Sequence, residues 1–338
     1  MSKPAIKAKA ISQQEILDVL ASQYGIVGSE IHLFEGGTES GVWKIRDGKS
    51  QYVFKVYAPK EISQDQIEQE INLYSYVNER SAGLPIQVPV VQAAHNQERV
   101  VQFNHEGTTY FGVLMQFEEL RRLWANSIRN EDITLIGSAI AHLHRILEGY
   151  PDASFFEYKP TLSTQSFSFF SQSPNSSAFS SVQRTNFKNI DARATRYLTD
   201  VTVPTDLAQT LIHADLTLEH IQLLQNGDVY IFDWGDAVVG PALKDVAIFF
   251  VELFREGEIS VERWKEMENV FLESYTNVKP IQSTHIDALK WFSLERCLGA
   301  IQYISEISIK SGNEADVEGI TRRYKLMEVL CTTGYTKA

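Results

Sequence analysis

Apolar residues alternate with polar ones over the first third of the chain and recur at helical spacing over most of the rest. Gln14 to Tyr24 sets Ile16, Leu17, Leu20 and Tyr24 on one helical face, which Gly25 and Gly28 end. Ile31–Phe34, Val42–Ile45 and Gln51–Tyr57 read as strands, with Asp47-Gly48 as a hairpin signal before the third. Ser63 to Asn78 predicts a helix opened by a capping box, Ser63 with Gln66, and striped by Ile67, Ile71 and Tyr74. Leu84 to Val90, with Pro85 and Pro89, is an extended linker, and Arg99–Phe103 and Thr109–Phe117 form a strand pair about Glu106-Gly107. Ile136, Ile140, Leu143 and Leu147 stripe a helix over Ile133–Leu147, which Gly149 and Pro151 stop.

The stretch from Pro151 to Thr205, rich in Ser and Phe, shows no clear period. After it come three short apolar runs, Thr210–Ile212, Ile221–Leu224 and Val229–Phe232. Asn226-Gly227 joins the last two as a hairpin whose turn residues should both take positive φ. Helices follow over Asp245–Phe254, Glu262–Tyr275 (Trp264, Met267, Val270 and Phe271 inward), Ala288–Ile304 and Val317–Leu330. A strand-rich first third before a helical remainder predicts an α+β protein with a cleft between two parts.

Composition narrows the function classes. The 338 residues suffice for one large or two ordinary domains. A net charge of −12 argues against nucleic acid as a partner, because that binding needs a basic face. The two cysteines, Cys297 and Cys331, form no C-x-x-C pair, so neither a zinc ribbon nor a disulfide scaffold is supported. The first ten residues lack an apolar signal core, and the longest apolar run, Val246–Val251, is too short to span a bilayer. The expectation is a cytoplasmic protein with no membrane partner.

The candidate chemistry gathers around one hairpin. His213, Asp215 and His220 precede it and Asp233 ends its return strand, so the turn should bring the two ends back together. Asp215 can take a proton from a hydroxyl, and His220 and Asp233 can ligate a divalent cation; that is the minimum equipment for phosphoryl transfer to an alcohol. Any one of these residues alone is better explained as a turn cap or a buried histidine.

Upstream, Gly36, Gly37, Thr38 and Ser40 form a glycine loop between two strands, a candidate phosphate cover that is not a Walker A loop. A plain hairpin turn explains it about as well. Lys55, on a strand face with Val53 and Tyr57, either snorkels or addresses an anion. Glu70 on the following helix could pair with it; Glu68 is the competing choice, farther from the apolar stripe. His142 and His144, two apart on a helix, do not face each other and read as structural.

H-A-D-L-T-L-E-H-I, then I-F-D-W-G-D, then G-P-A-L-K-D-V-A resemble the catalytic and metal-binding region of the aminoglycoside phosphotransferase and choline-kinase-like family. The family pattern is H-x-D-x-x-x-x-N, an apolar residue before D-W/F, and D-L-A. The resemblance implies a protein-kinase-like bilobal fold. An N-lobe with a small antiparallel sheet would span 1–115, a hinge 116–120, and a larger, mainly helical C-lobe 121–338. It implies Asp215 as catalytic base, Asp233 as the main Mg²⁺ ligand, Asp245 as a buttress of the catalytic loop, and Lys55 on the α and β phosphates. Gln116, Phe117 and Glu118 fall where the family binds the nucleotide base. His220 departs from the family's Asn; imidazole can replace the amide as a ligand but is softer and titrates near neutrality. Some antibiotic kinases of the family also carry His there, and several of those accept GTP.

The implied activity moves the γ-phosphate of ATP or GTP, with Mg²⁺, to a hydroxyl of a small acceptor. That acceptor would be an aminoglycoside or an amino alcohol, and the acidic balance favours a cationic one. Two other classes stay open: a metal-dependent phosphohydrolase using His213, Asp215, His220 and Asp233, and a catalytically weak nucleotide-binding protein.

Overall fold

The computed structural model describes residues 11–27, 30–34, 40–58, 62–153, 156, 177–311 and 316–332. By its internal contacts the chain forms two compact units, residues 1–121 with 223–235, and residues 122–222 with 236–338. From Leu223 on, the hairpin after the candidate loop thus belongs with the first unit.

The first unit is built on antiparallel strands. Helix α1 (Gln13–Tyr24) opens it, capped by Ser12, whose side chain exchanges hydrogen bonds with Glu15. Strands β1 (Glu30–Leu33), β2 (Ser40–Asp47), β3 (Ser50–Tyr57), β7 (Thr108–Gln116) and β5 (Val91–Gln92) lie in that order, with β6 (Val101–His105) also paired to β7. The β2–β3 loop is Gly48-Lys49, one residue later than the sequence signal, with only Gly48 at positive φ, 61°. Glu106 and Gly107 both take positive φ, 49° and 74°, in the two-residue β6–β7 loop.

Alternation decides which helix covers which face. Trp43, Ile45, Phe54, Val56 and Leu114 pack with Ile16 and Leu20 of α1. On the opposite face Tyr57 and Val113 meet Ile67 and Ile71 of α2 (Gln64–Arg80), whose capping box, Ser63 with Gln66, forms as the sequence predicts. Lys55 has the parity of Tyr57, so it points to the α2 face.

A second sheet runs β4 (Ile86–Gln87), β11 (Val229–Ile231), β10 (Ile221–Leu224), β8 (Leu120–Arg121). The β10–β11 turn differs from the expectation: Gly227 alone takes positive φ, 90°. Leu224 donates its N–H to Asp228 O at 2.9 Å and Gly227 to Leu224 O at 3.0 Å. The loop is therefore a three-residue one with a left-handed third residue, so Asn226 needs no positive φ.

The second unit is mainly helical: α3 (Asn130–Leu147), α4 (Ser181–Asp200), α5 (Ala242–Glu256), α6 (Val261–Val278), α7 (Asp287–Ser311) and α8 (Val317–Thr332). Strands β9 (Gln209–Ile212) and β12 (Val238–Pro241) pair antiparallel within it. α3 packs on α6, where Gly137 lets the helices close to contact with Phe271 and Ser274. α5 is buried along almost its whole length, as its unbroken apolar run requires, and packs against α7 and α8. No helix among the described residues is long and apolar enough to cross a membrane.

Candidate active site

In the first unit, strand register and helix period bring three distant charges together. Lys55 Nζ stands 2.8 Å from Asp233 Oδ1 and 3.7 Å from Glu70 Oε1. Glu70 is 3 % exposed, which a lone carboxylate tolerates only with partners. It has them: the Tyr74 hydroxyl at 2.5 Å, the Tyr57 hydroxyl at 3.2 Å and the Trp234 N–H at 3.3 Å all donate to it. Glu68, the alternative partner for Lys55, instead accepts from Gln64 Nε2 at 2.7 Å on the exposed side of α2. Burial pulls the Lys55 pKa down, but Glu70, then Tyr57 and Asp233, outweigh it, and the ammonium is held well above its ordinary value.

Asp233, two residues after β11, sits in the left-handed region, φ 66°. A non-glycine residue there costs of order 1–3 kcal/mol and persists only where its surroundings fix it. Here the Trp234 ring, 1 % exposed and edge-on to Tyr74, seats the next residue in the core, while the Asp233 side chain is 46 % exposed.

In the second unit the loop after β9 holds His213, Asp215 and His220. Asp245, fully buried at the start of α5, accepts the N–H groups of His213 at 2.8 Å and Ala214 at 2.7 Å. These bonds hold Ala214 at φ 63°, again left-handed. Behind Asp245 stands His144: its Nε2 lies 3.2 Å from the carboxylate and its Nδ1 2.8 Å from the Tyr275 hydroxyl. A proton on Nε2 serves both contacts, so His144 is a structural residue, as the sequence suggests.

His220 Nδ1 lies 2.9 Å from the Asp215 backbone oxygen. A carbonyl can only accept, so Nδ1 carries the proton and the lone pair sits on Nε2, the form in which imidazole ligates a metal. His213 is fully buried and its Nδ1 accepts the Asp215 N–H at 3.3 Å, which commits that nitrogen to the loop.

Asp215 has a partner that sequence reasoning missed. Arg296 of α7 donates from Nη2 to Asp215 Oδ1 at 2.7 Å and from Nε to Glu252 Oε1 at 2.9 Å. Burial would raise the Glu252 pKa, but Arg296, Arg323 and Arg255 together lower it to about 2. The signal available was a single carboxylate inside the apolar run A-I-F-F-V-E-L-F of α5, which demands a cation.

The remaining predicted residues fall differently. Gly36, Gly37 and Thr38 lie outside the described residues, and Ser40 is described only as the first backbone position of β2. Gln116 and Phe117 donate their N–H groups to Val90 O at 2.9 Å and Gln51 O at 3.0 Å, and Glu118 accepts from Gln116 Nε2 at 2.9 Å. In the second unit a cavity of about 250 Å³ is lined by Arg122, Trp124, Glu219, Arg255, Glu256 and Arg322, charges of both signs around one indole.

Comparison with known proteins gives this geometry a context. Residues 30–269 match the model of a phosphotransferase enzyme family. No curated protein sequence matches the chain. Among solved structures it resembles the amicoumacin kinase hAmiN in complex with AMP-PNP, Ca²⁺ and Ami. The TM-score is 0.72 and the identity 16 %, covering 96 % of this chain and 95 % of that one. A microcompartment-associated aminopropanol kinase gives a TM-score of 0.72 at 15 % identity, over 96 % and 99 % of the two chains. The spectinomycin phosphotransferase APH(9)-Ia, in complex with ADP and spectinomycin, gives the same TM-score of 0.72 at 15 % identity, over 96 % and 99 %. These likenesses show the shared fold, the kinase-like α+β arrangement expected from the sequence.

Proposed function

We propose that this chain, which belongs to the phosphotransferase enzyme family by the match over residues 30–269, is a small-molecule kinase that moves the γ-phosphate of ATP or GTP to an alcohol oxygen. The observation that carries the reading is the Lys55 ammonium, held charged between Glu70 and Asp233 on a partly open strand face. A cation fixed this way is suited to the α and β phosphates of a nucleotide, because its position is set before the ligand arrives. Gly36, Gly37, Thr38 and Ser40 would cover those phosphates. Residues 116–120 form the hinge between lobes 1–115 and 121–338 in this reading. Gln116 and Phe117 already use their N–H groups within the sheet, so base recognition falls to other backbone groups of the segment.

In this reading Asp233 and His220 would each serve as a ligand to Mg²⁺, which when bound would neutralise charge developing on the phosphates. Asp215 orients the acceptor hydroxyl and takes its proton. Asp245 keeps Asp215 in place through the two backbone N–H groups it accepts. The acceptor is a small hydroxyl compound, an amino alcohol or an aminoglycoside. The net charge of −12 favours a cation, and the solved relatives are kinases named for amicoumacin, aminopropanol and spectinomycin. In this reading the reaction runs in the cytoplasm.

The hydrolase alternative needs His213 as a ligand, and that residue is buried with Nδ1 bound to the loop backbone. A thermal-shift comparison of ATP and GTP, each with and without Mg²⁺, tests the proposal. A ligand that binds the native state raises Tm by mass action, and the kinase reading expects the largest rise with nucleotide and metal together. A rise with metal alone would favour the hydrolase, nucleotide binding indifferent to Mg²⁺ would favour the catalytically weak binder, and no rise at all would count against all three.

A further inference from the structure

We infer that Arg296 is the positioning residue of Asp215: its guanidinium fixes one carboxylate oxygen so that the other is presented to the acceptor hydroxyl. The inference rests on Asp215 being the base of the proposed reaction.

The argument starts with what Glu252 needs. A carboxylate 1 % exposed inside the apolar helix α5 must be neutralised. It already is without Arg296: Arg323 Nη2 reaches its two oxygens at 3.0 and 3.2 Å, and Arg255 Nε reaches Oε2 at 2.5 Å. Arg296 is thus one of three cations on that carboxylate, not its sole partner. What it adds is a second contact in another direction, Nη2 to Asp215 Oδ1 at 2.7 Å. The guanidinium is one rigid plane, so anchoring Nε on Glu252 sets where Nη2 points, and with it where the Asp215 carboxylate lies.

Three contacts then define the Asp215 side chain and its backbone. The loop behind it is tied down through Asp245, Arg296 takes Oδ1, and His220 Nδ1 lies 3.4 Å from Oδ2. A carboxylate with Oδ1 engaged by a cation offers Oδ2 as the atom that receives a proton. The arrangement reaches from the core of the second unit, through Glu252 and Arg296, to one atom of the loop. The side chains of Arg296 and Asp215 are 27 % and 23 % exposed and that of Glu252 2 %, so Tm is read beside the rate to separate lost stability from lost positioning.

The test compares wild type, Arg296→Gln, Arg296→Lys, Asp215→Asn and the Arg296→Gln/Asp215→Asn double variant. Mg·ATP and Mg·GTP are the probes, and phosphate release to water is read beside Tm. Misplacing a reacting group by about 1 Å costs on the order of 10²-fold. Arg296→Gln should lower kcat by about 10- to 100-fold and leave the nucleotide KM within about a factor of two. Arg296→Lys should recover part of the loss. In the Asp215→Asn background, Arg296→Gln should change the rate by less than about a factor of two, because its route of action is gone. The same loss in both backgrounds, a raised KM with kcat intact, or no loss would overturn the inference. All variants should fold, since Glu252 keeps Arg323 and Arg255.

If wild type releases no phosphate to water, the turnover comparison has no readout, and the kinase reading stands or falls separately on transfer to an acceptor. Crystal structures of wild type and Arg296→Gln then decide the positioning claim: a reoriented Asp215 carboxylate upholds it, and an unmoved one overturns it.

Discussion

Replacing Asp245 by Asn keeps the shape of the side chain and removes the charge that two backbone donors share. Asp245 accepts His213 N–H through Oδ2 and Ala214 N–H through Oδ1, at 2.8 and 2.7 Å, and His144 Nε2 approaches Oδ2 at 3.2 Å. An amide has one oxygen, so one of the two N–H groups meets an NH₂ instead of an acceptor. A hydrogen bond to a charged group contributes about 1.5–3 kcal/mol, and a buried donor left without an acceptor costs about 1–3 kcal/mol. The bond that survives also weakens when the charge goes. Together these give a loss of about 2–4 kcal/mol, with Ala214 released from its left-handed backbone. At roughly 2–4 °C per kcal/mol for a unit of this size, Tm should fall by about 4–16 °C. Urea denaturation gives the free energy directly, from the midpoint at constant slope. A loss below about 1 kcal/mol would refute the idea that these bonds hold the loop.

Other perturbations probe other parts. Burial, opposed by Arg255 and reinforced by Glu219 and Glu252, raises the Glu256 pKa from 4.5 to about 7. The fold thus prefers the protonated carboxyl: that stability is fully present below pH 4.5 and lost as pH rises through about 7. Glu256→Gln should remove this loss and gain about 1–3 kcal/mol over wild type at pH 8 but little at pH 4.5, measured by urea denaturation; an equal effect at both pH values would contradict it. A Cβ at Gly112 would lie 2.2 Å from Phe54 Cζ, so Gly112→Ala should cost about 1–3 kcal/mol, and an unchanged Tm would be incompatible with this packing. Lys55→Met should abolish the Mg·nucleotide thermal shift and also lower the apo Tm, because it strips the buried Glu70 of its cation; a shift retained relative to the variant's own apo Tm would remove Lys55 from the phosphate site. Imidazole is a softer ligand than an amide oxygen, so His220→Asn should lower the ratio of Mn²⁺- to Mg²⁺-supported turnover, and an unchanged ratio would take His220 off the metal.

Much of this arrangement is legible in the sequence because it is written locally. Ser63 with Gln66 marks the start of α2, and the alternation around Lys55 gives the face on which it meets Glu70. Helix α4 is less legible: its Ser180–Gln183 capping box and the inward Phe187, Ile190 and Ala194 sit among serines and charges that blur the period. β12 escapes notice because Gly240 and Pro241 argue against a strand, yet its end pairs with β9 at the sheet edge where Pro is tolerated. Arg296 is hidden for a different reason. Its meaning depends on two carboxylates far away in sequence, Asp215 and Glu252, and no local pattern joins them. The glycine loop reads clearly as sequence, but three of its four named residues lie outside the described structure.

The most direct measurement is transfer of label from γ-labelled ATP and GTP, with Mg²⁺, to a panel of amino alcohols and aminoglycosides, for wild type beside Asp215→Asn and Asp233→Ala. The account predicts a labelled acceptor with wild type. It predicts a loss on the order of 10²-fold or more with either variant, at a Tm close to wild type. Label released only as inorganic phosphate, or Asp233→Ala turning over at the wild-type rate with Mg²⁺, would contradict it.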